Sequence, residues 1–135
     1  YVQKFFDIIK DNPSDIIEIH NRPIYVNKLI ELKSQIVLYF HNDPISMIGS
    51  KTVKERLDLL NICSKIIFNS EWSKKQYLKD LKSFFHKSKK LEVIHQSISK
   101  KNINTLKKEK IISFVGKLNR AKGYDIFGEG INIKI

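Results

Sequence analysis

The segment Ile36-Val37-Leu38-Tyr39-Phe40-His41-Asn42-Asp43-Pro44 carries the clearest structural signal in the chain. Its five consecutive apolar residues predict a short strand that is covered on both faces, as the strands of parallel sheets are. The polar residues and the proline that follow predict that the strand ends at residue 40, because proline lacks a backbone donor and restricts the residue before it. We therefore interpret the rest of the chain relative to this strand.

Short apolar runs of the same kind recur along the chain, and stretches with helical spacing lie between them. The predicted strands span residues 15–19, 36–40, 65–68, 91–94 and 111–115. The predicted helices span residues 2–9, 25–33, 53–62 and 72–81, and a last helix begins near residue 122. Strands that alternate with helices predict βαβ units. The predicted fold class is therefore α/β, a Rossmann-like parallel sheet with flanking helices.

Composition excludes several classes of protein. Of the 135 residues, 41% are hydrophobic and 29% are charged, so the chain can bury a core and is not a disordered protein. No apolar run approaches the roughly 20 residues of a membrane-spanning helix, and residues 1–10 are too polar for a secretory signal. The single cysteine, Cys63, cannot form an internal disulfide, so we expect a cytoplasmic location and a buried, unreactive thiol.

The net charge of +11 is concentrated in one part of the chain. Residues 74–110 contain twelve lysines and three acidic residues. Such a basic surface can bind a polyanion, either nucleic acid or an anionic membrane. The alternative is genomic base composition, because 22 of the 25 basic residues are lysine, a residue that shares A/T-rich codons with the abundant isoleucine and asparagine.

The domain organisation follows from a polar, lysine-rich stretch over residues 98–110, which predicts a linker. The chain is thus predicted to contain one domain over residues 1–97 and the beginning of another over residues 111–135. Because the sequence opens on Tyr1 and stops at Ile135 shortly after a predicted helix begins, we expect it to be a piece of a longer protein.

Candidate functional residues follow the predicted strands, because ligands of open parallel sheets bind beyond the carboxyl ends of the strands. His41 can hydrogen-bond a ligand or exchange a proton near neutral pH, or it can simply satisfy loop carbonyls. His20 occupies the same position after the preceding strand. The forked guanidinium of Arg22 suits a carboxylate or a phosphate, and a surface ion pair is the alternative.

The segment Gly116-Lys117-Leu118-Asn119-Arg120-Ala121-Lys122-Gly123 is a candidate diphosphate site. Gly116 allows the backbone to approach a ligand closely, and the predicted helix start near Lys122 offers free amide groups to an anion. Lys117 and Lys122 would add two full charges. The spacing is neither a P-loop nor G-x-G-x-x-G, so the alternative is a pair of solvated lysines.

Four segments, taken in order, resemble one enzyme family. Residues 114–125 resemble the F-V-G-R-L-x-x-x-K-G-x-D opening of the donor domain in glycosyltransferase family four, the retaining enzymes with the GT-B fold. Residues 15–23 and 38–44 are similar to two strand-end segments of that family's acceptor domain. Residues 66–71, followed by Lys74, are similar to its V-x-x-S-x-x-x-K segment. The resemblance covers nearly the whole chain.

The resemblance implies a partial GT-B fold, with residues 1–97 as the latter part of the acceptor-binding domain and residues 111–135 as the start of the nucleotide-sugar-binding domain. It implies transfer of a sugar from a nucleotide sugar to a glycan or lipid-linked acceptor in cell-envelope polysaccharide synthesis, at the inner face of the membrane and with no metal or other cofactor. Since much of both domains of that family lies outside this resemblance, we expect the chain alone to be inactive.

The resemblance also implies roles for individual residues. His41 corresponds to the family's histidine that reaches the reacting sugar, and is the predicted catalytic residue. Lys117 stands where the family usually has arginine, which keeps the charge and loses the bidentate geometry. The predicted donor-binding residues are Gly116, Lys117 and Lys122. The predicted acceptor-binding residues are Asn21, Arg22, Asn42 and Asp43.

Two other functions also fit the sequence. The chain can be a non-enzymatic basic α/β module that binds polyanions, or an inactive remnant of an enzyme, which the lysine at position 117 favours. The sequence contains no recognised nucleic-acid-binding motif, so an anionic membrane is the expected polyanion rather than nucleic acid.

Overall fold

The computed structural model describes residues 1–97 and 112–131, and the chain divides into two units, Tyr1–Ile98 and Ser99–Ile135. The predicted linker over residues 98–110 lies outside the described residues. The helices of the first unit are α1 (Val2–Ile9), α2 (Val26–Leu29), α3 (Val53–Ile62) and α4 (Glu71–Leu78). Its strands are β1 (Ile16–His20), β2 (Gln35–Phe40), β3 (Lys65–Phe68) and β4 (Leu91–Val93).

The four strands form a parallel sheet in the order β1-β2-β3-β4, which confirms the predicted α/β, Rossmann-like class. Parallel strands are joined by right-handed crossovers, so a sheet built in chain order carries its connecting helices on one face. The buried residues agree with this placement of the helices, because hydrophobic residues of all four helices pack together on one side of the sheet. The buried strand residues on that side are Ile17, Ile19, Ile36, Leu38, Phe40, Ile66, Phe68 and Leu91.

The prediction that β2 is covered on both faces is wrong for the described residues. Val37 and Tyr39 are only half-buried, and Glu18, Lys65 and Glu92 are exposed on the same side. A run of apolar residues cannot tell one covered face from two, whereas the sequential strand order decides it. Successive side chains of each strand point alternately to the buried side and to this uncovered side. We call the uncovered side the open face.

Three aromatic rings fill the centre of the core between the sheet and α4. The Phe40 and Phe68 rings lie 5.7 Å apart, and the Tyr77 ring tilts against both. The Tyr77 hydroxyl donates to the carbonyl of Arg56 at 2.6 Å, which satisfies the one polar atom of this buried ring. Burial raises the pKa of Tyr77, so the hydroxyl stays protonated as a donor.

The loop after β2 is attached to the segment after β1 by a close backbone approach at Gly49. A Cβ atom at Gly49 would lie 2.6 Å from the Ile24 nitrogen, and Gly49 has a φ of +94°, which favours glycine. The buried Ser50 hydroxyl donates to the Pro44 carbonyl at 2.6 Å and closes the same loop. These contacts fix two of the strand-end segments that carry candidate site residues.

Helix boundaries agree closely with the capping signals. The Ser70 hydroxyl accepts the Ser73 N–H at 3.3 Å, as predicted for an N-cap of α4. Thr52 and Glu55 form a capping box at the start of α3. The predicted helix over residues 25–33 is shorter than expected, because only Val26–Leu29 is α-helical and a 3₁₀ turn lies on each side.

The strand that was predicted over residues 111–115 of the second unit is not found in its described residues. Residues 112–115 form no strand, and Ile111 lies outside the described residues. A strand exists through its ladder of hydrogen bonds to a neighbour, so an apolar run without one stays irregular. The predicted helix is present as α5 (Tyr124–Ile131), and the Phe114 and Phe127 rings pack 5.4 Å apart.

Arg56 is a buried cation that is held by backbone carbonyls. Its side chain is 2% exposed, and it donates to the carbonyls of Lys51 and Lys79 at 2.7 Å each and of Ser50 at 3.3 Å. The guanidinium thereby ties α3 to the loop before it and to the end of α4. The planar fork can reach these carbonyls at once, whereas an ammonium cannot.

We expect Arg56→Lys to lower the free energy of unfolding by about 1–3 kcal/mol, because it leaves at least one buried carbonyl without a donor. Urea unfolding measures the change. The matched control is Arg22→Lys, the same substitution at an exposed position, with an expected change within about 0.5 kcal/mol. Equal stability of the two variants would contradict this account of Arg56.

Candidate active site

Polar side chains from all four strand ends meet at the carboxyl edge of the sheet. His20 is the last residue of β1 and Asn21 follows it, while His41 follows β2 and Asn69 follows β3. The segment after β4 contributes Gln96. Hydrogen bonds connect these side chains across the sheet, so residues from distant parts of the sequence form one cluster around His41.

The main chain of His41 is fixed by asparagines from both neighbouring strands. The Asn21 Oδ1 accepts the His41 N–H at 2.8 Å, and the Asn69 Nδ2 donates to the His41 carbonyl at 2.7 Å. Asn21 has a φ of +52°, a left-handed conformation that asparagine tolerates better than most residues. The Asn21 side chain therefore positions His41, while its predicted role in acceptor binding stays a prediction.

The His41 ring is hydrogen-bonded through both of its nitrogens. Nε2 lies 2.7 Å from Nδ1 of His20, and Nδ1 lies 2.8 Å from the Gln96 Nε2. The two imidazole rings have centroids 5.0 Å apart and planes inclined by only 11°, so they lie edge to edge in nearly one plane. We call His20 and His41 the histidine pair.

Tyr39 packs against the histidine pair on the open face. Its ring centroid lies 4.3 Å from that of His41 and 5.5 Å from that of His20, with planes inclined by 12° and 13°. The Tyr39 hydroxyl donates to the carbonyl of Ile94 at 2.8 Å, which fixes the far end of the ring. The tyrosine thus restricts the plane in which the two imidazoles can lie.

The electrostatic environment lowers the pKa of His41 from its ordinary value of 6.5. Partial burial is the largest cause, because it disfavours the charged form of the ring. The charge of His20 acts in the same direction, and the Glu18 carboxylate opposes both. His41 therefore stays neutral to a lower pH than a free histidine, which suits a group that accepts a hydrogen bond or a proton.

The other predicted acceptor-binding residues have different surroundings. Arg22 is exposed, donates to the Asn21 carbonyl at 3.1 Å and lines a surface cavity of ≈ 280 Å³ between α1 and β1. Asp43 caps the 3₁₀ turn after β2, because its Oδ1 accepts the Ile45 N–H at 3.2 Å. Asn42 is exposed. Asn69 was a candidate only through its strand-end position, and sequence reasoning missed the roles of Tyr39 and Gln96.

The second unit contains the predicted donor-binding residues. The Asn119 Oδ1 accepts the Lys122 N–H at 3.1 Å and closes a 3₁₀ turn over Arg120–Lys122. Gly123 follows with a φ of +71°, and α5 begins at Tyr124. Lys117 and Lys122 are both exposed, so their ammonium groups are free to meet an anion.

Three further observations bear on the chemistry of the described residues. Burial raises the pKa of Cys63 to about 12, so the thiol is an inert core residue, as expected. Within residues 1–97 and 112–131, no group of three or more His, Cys, Asp or Glu side chains is arranged to hold a metal ion. No helix in the described part of the chain has both the length and the apolar character needed to cross a bilayer.

We expect the imidazole C–H resonances of His41 to titrate below pH 6.5 in an NMR pH titration. Because the folded value is the lower one, His41 contributes stability that is present above pH 6.5 and is lost as the pH falls through the folded pKa. The same chain unfolded in urea supplies the reference. A folded midpoint at or above that of the unfolded chain would contradict the environment described for His41.

Comparison with other proteins gives no family assignment. The chain has no significant match among protein-family models, curated proteins or solved structures. The resemblance to glycosyltransferase family four therefore stays a prediction that rests on the residues of this chain.

Proposed function

We propose that the chain is part of a glycosyltransferase that moves a sugar from a nucleotide-sugar donor to a glycan or lipid-linked acceptor in cell-envelope polysaccharide synthesis. The geometry of His41 is the observation that supports this most. A neutral imidazole stands beyond the carboxyl end of an interior strand, with its backbone fixed by Asn21 and Asn69. That is where ligands of parallel α/β sheets bind.

The proposed mechanism assigns different tasks to the two units. In the first unit, His41 hydrogen-bonds a sugar hydroxyl and thereby orients that sugar. In the second unit, Lys117 and Lys122 stabilise the negative charge that develops on the diphosphate as its bond to the anomeric carbon breaks. Asn21, Arg22, Asn42 and Asp43 lie on the acceptor side in this proposal.

Docking on an anionic membrane is the second part of the proposed function. The basic segment, residues 74–90, contains seven lysines and one acidic residue. Lys75, Lys79 and Lys82 are exposed, whereas Lys90 is tied to the Leu60 carbonyl at 2.8 Å. Exposed lysines near an anionic leaflet contribute about 1 kcal/mol each. A lipid-linked acceptor would then be reached from the membrane surface.

Binding of nucleotide sugars tests the first part, because the chain alone is expected to bind without transferring sugar. In NMR titrations with a uridine diphosphate sugar, we expect amide shifts at Gly116, Lys117 and Lys122. Lys117→Ala and Lys122→Ala should each weaken binding about tenfold, since each loses a charge-assisted contact to phosphate.

Lys54→Ala is the matched control, because Lys54 is an exposed lysine on α3 of the other unit and should leave binding unchanged. Nucleotide sugars that shift no resonance of the second unit, or that bind all three variants equally, would contradict the proposed donor role.

Vesicle binding tests the second part. We expect the chain to pellet with phosphatidylglycerol-containing vesicles and to be released as salt rises. Replacing Lys75, Lys79 and Lys82 with Glu should weaken binding about a hundredfold or more, because each lysine contributes about 1 kcal/mol. Replacing Lys4, Lys10 and Lys54, which are also exposed, with Glu makes the same charge change outside the basic segment.

The control triple variant separates a local docking site from net charge. Equal loss of binding in both triple variants would indicate attraction by net charge alone. Pelleting that is absent or independent of salt would remove the membrane proposal. A steep salt dependence for DNA or RNA instead would favour the non-enzymatic polyanion-binding module.

A further inference from the structure

A carboxylate on β1 stands within ion-pair distance of the histidine pair. The His20 Nε2 lies 3.4 Å from the Glu18 Oε1, and both side chains are about half exposed, at 51% and 52%. Glu18 and His20 are two residues apart on one strand and therefore both lie on the open face. Glu18, His20, His41 and Gln96 thus form one continuous series of polar contacts.

The Glu18 carboxylate and the Gln96 amide, at the two ends of this series, together favour one direction for the hydrogen bonds of His41. The negative charge of the Glu18 carboxylate, 3.4 Å from the His20 Nε2, favours the tautomer of neutral His20 that carries its proton on that nitrogen, so that its Nδ1 is an acceptor. The His41 Nε2, 2.7 Å away, must then be the donor. This leaves a lone pair on the His41 Nδ1, which is the partner that the Gln96 amide group needs at 2.8 Å.

We propose that Glu18 and His20 are positioning residues that hold His41 as its Nε2–H tautomer, so that the His41 Nδ1 lone pair accepts a hydrogen bond from a ligand hydroxyl. The exposed amide of Gln96 occupies that position in the structure, and the ligand hydroxyl displaces it. The identity of this hydroxyl as a sugar hydroxyl rests on the proposed function, whereas the tautomer does not.

The stacking of Tyr39 strengthens the assignment. The lone pair of an imidazole nitrogen lies in the plane of its ring, and Tyr39 restricts both rings to nearly parallel planes in which the N–H of one can point along the lone pair of the other. The main-chain bonds from Asn21 and Asn69 fix where His41 stands, and the series through His20 fixes which of its nitrogens carries the proton. A histidine that only filled a loop would need neither a fixed position nor a fixed tautomer.

The experiment is ¹⁵N NMR of the 135-residue chain with labelled histidine, at a pH above the titration of the imidazoles and without any ligand. We expect the His41 Nε2 to be protonated and its Nδ1 unprotonated, with a preference of about tenfold or more, because the Glu18 carboxylate attracts the proton of His20 to Nε2 and the Gln96 amide donates to the His41 Nδ1. A His41 that is mainly protonated on Nδ1, or an even mixture of tautomers, would overturn the proposal.

Three variants test whether Glu18 and His20 cause this preference. In Glu18→Gln, the amide can donate to the His20 Nε2, which allows the whole series to reverse and the Nδ1–H form of His41 to appear. His20→Phe keeps a flat ring beside Tyr39 and removes the acceptor, so the preference is lost. His20→Gln supplies an amide oxygen as acceptor, and should restore the Nε2–H form of His41.

Glu92→Gln is the matched control, because Glu92 is another exposed carboxylate of the open face that pairs with Lys65. It should leave the His41 tautomer unchanged. An unchanged His41 tautomer in both Glu18→Gln and His20→Phe would overturn the proposal. Amide NMR spectra show whether each variant is folded. If His20→Phe fails to fold, Glu18→Gln and His20→Gln still test the proposal. Both replace an exposed polar side chain with another polar side chain and are expected to fold. The tautomer of His41 does not depend on whether the chain binds a nucleotide sugar. The proposed function and the proposed roles of Glu18 and His20 can therefore fail independently.

Discussion

The pairing of β2 with β1 on one side and β3 on the other is the constraint on which the rest of the first unit depends. Right-handed crossovers between parallel strands added in chain order put the connecting helices on one face of the sheet. The cross-strand row of Ile19, Leu38, Ile66 and Leu91 is buried under those helices at every position. The same pairing leaves the open face uncovered and brings the strand ends together, so the core and the candidate site result from one arrangement.

His41 is held in two ways that respond differently to pH. Its main chain is bonded to the amides of Asn21 and Asn69, which do not titrate. Its ring is bonded to His20 and Gln96, and the direction of these bonds depends on where the imidazole protons lie. The position of His41 is therefore insensitive to pH, whereas the hydrogen-bonding character of its ring is not. This combination suits a residue that must meet a polar ligand in a fixed place.

The charge of the chain and its histidine site occupy different parts of the first unit. The basic segment comprises most of α4 and the residues between α4 and β4, while the histidine pair lies at the strand ends on the open face. A protein that only bound polyanions would not require a histidine with a fully bonded ring and main chain. The proposed transferase uses both features, with the lysines for attraction to a membrane and the histidine for orientation of a sugar.

The sequence by itself determined the order of elements and the strand-end location of His41, because helical and strand periodicities and capping residues such as Ser70 act between neighbours in the chain. Only the tertiary structure decided that, among the described residues, one face of the sheet is open and residues 112–115 form no strand. It also decided the partners of the His41 ring, one of which lies 55 residues away. Strand order and hydrogen bonds over such separations depend on how the chain crosses itself, which no local pattern of residues records.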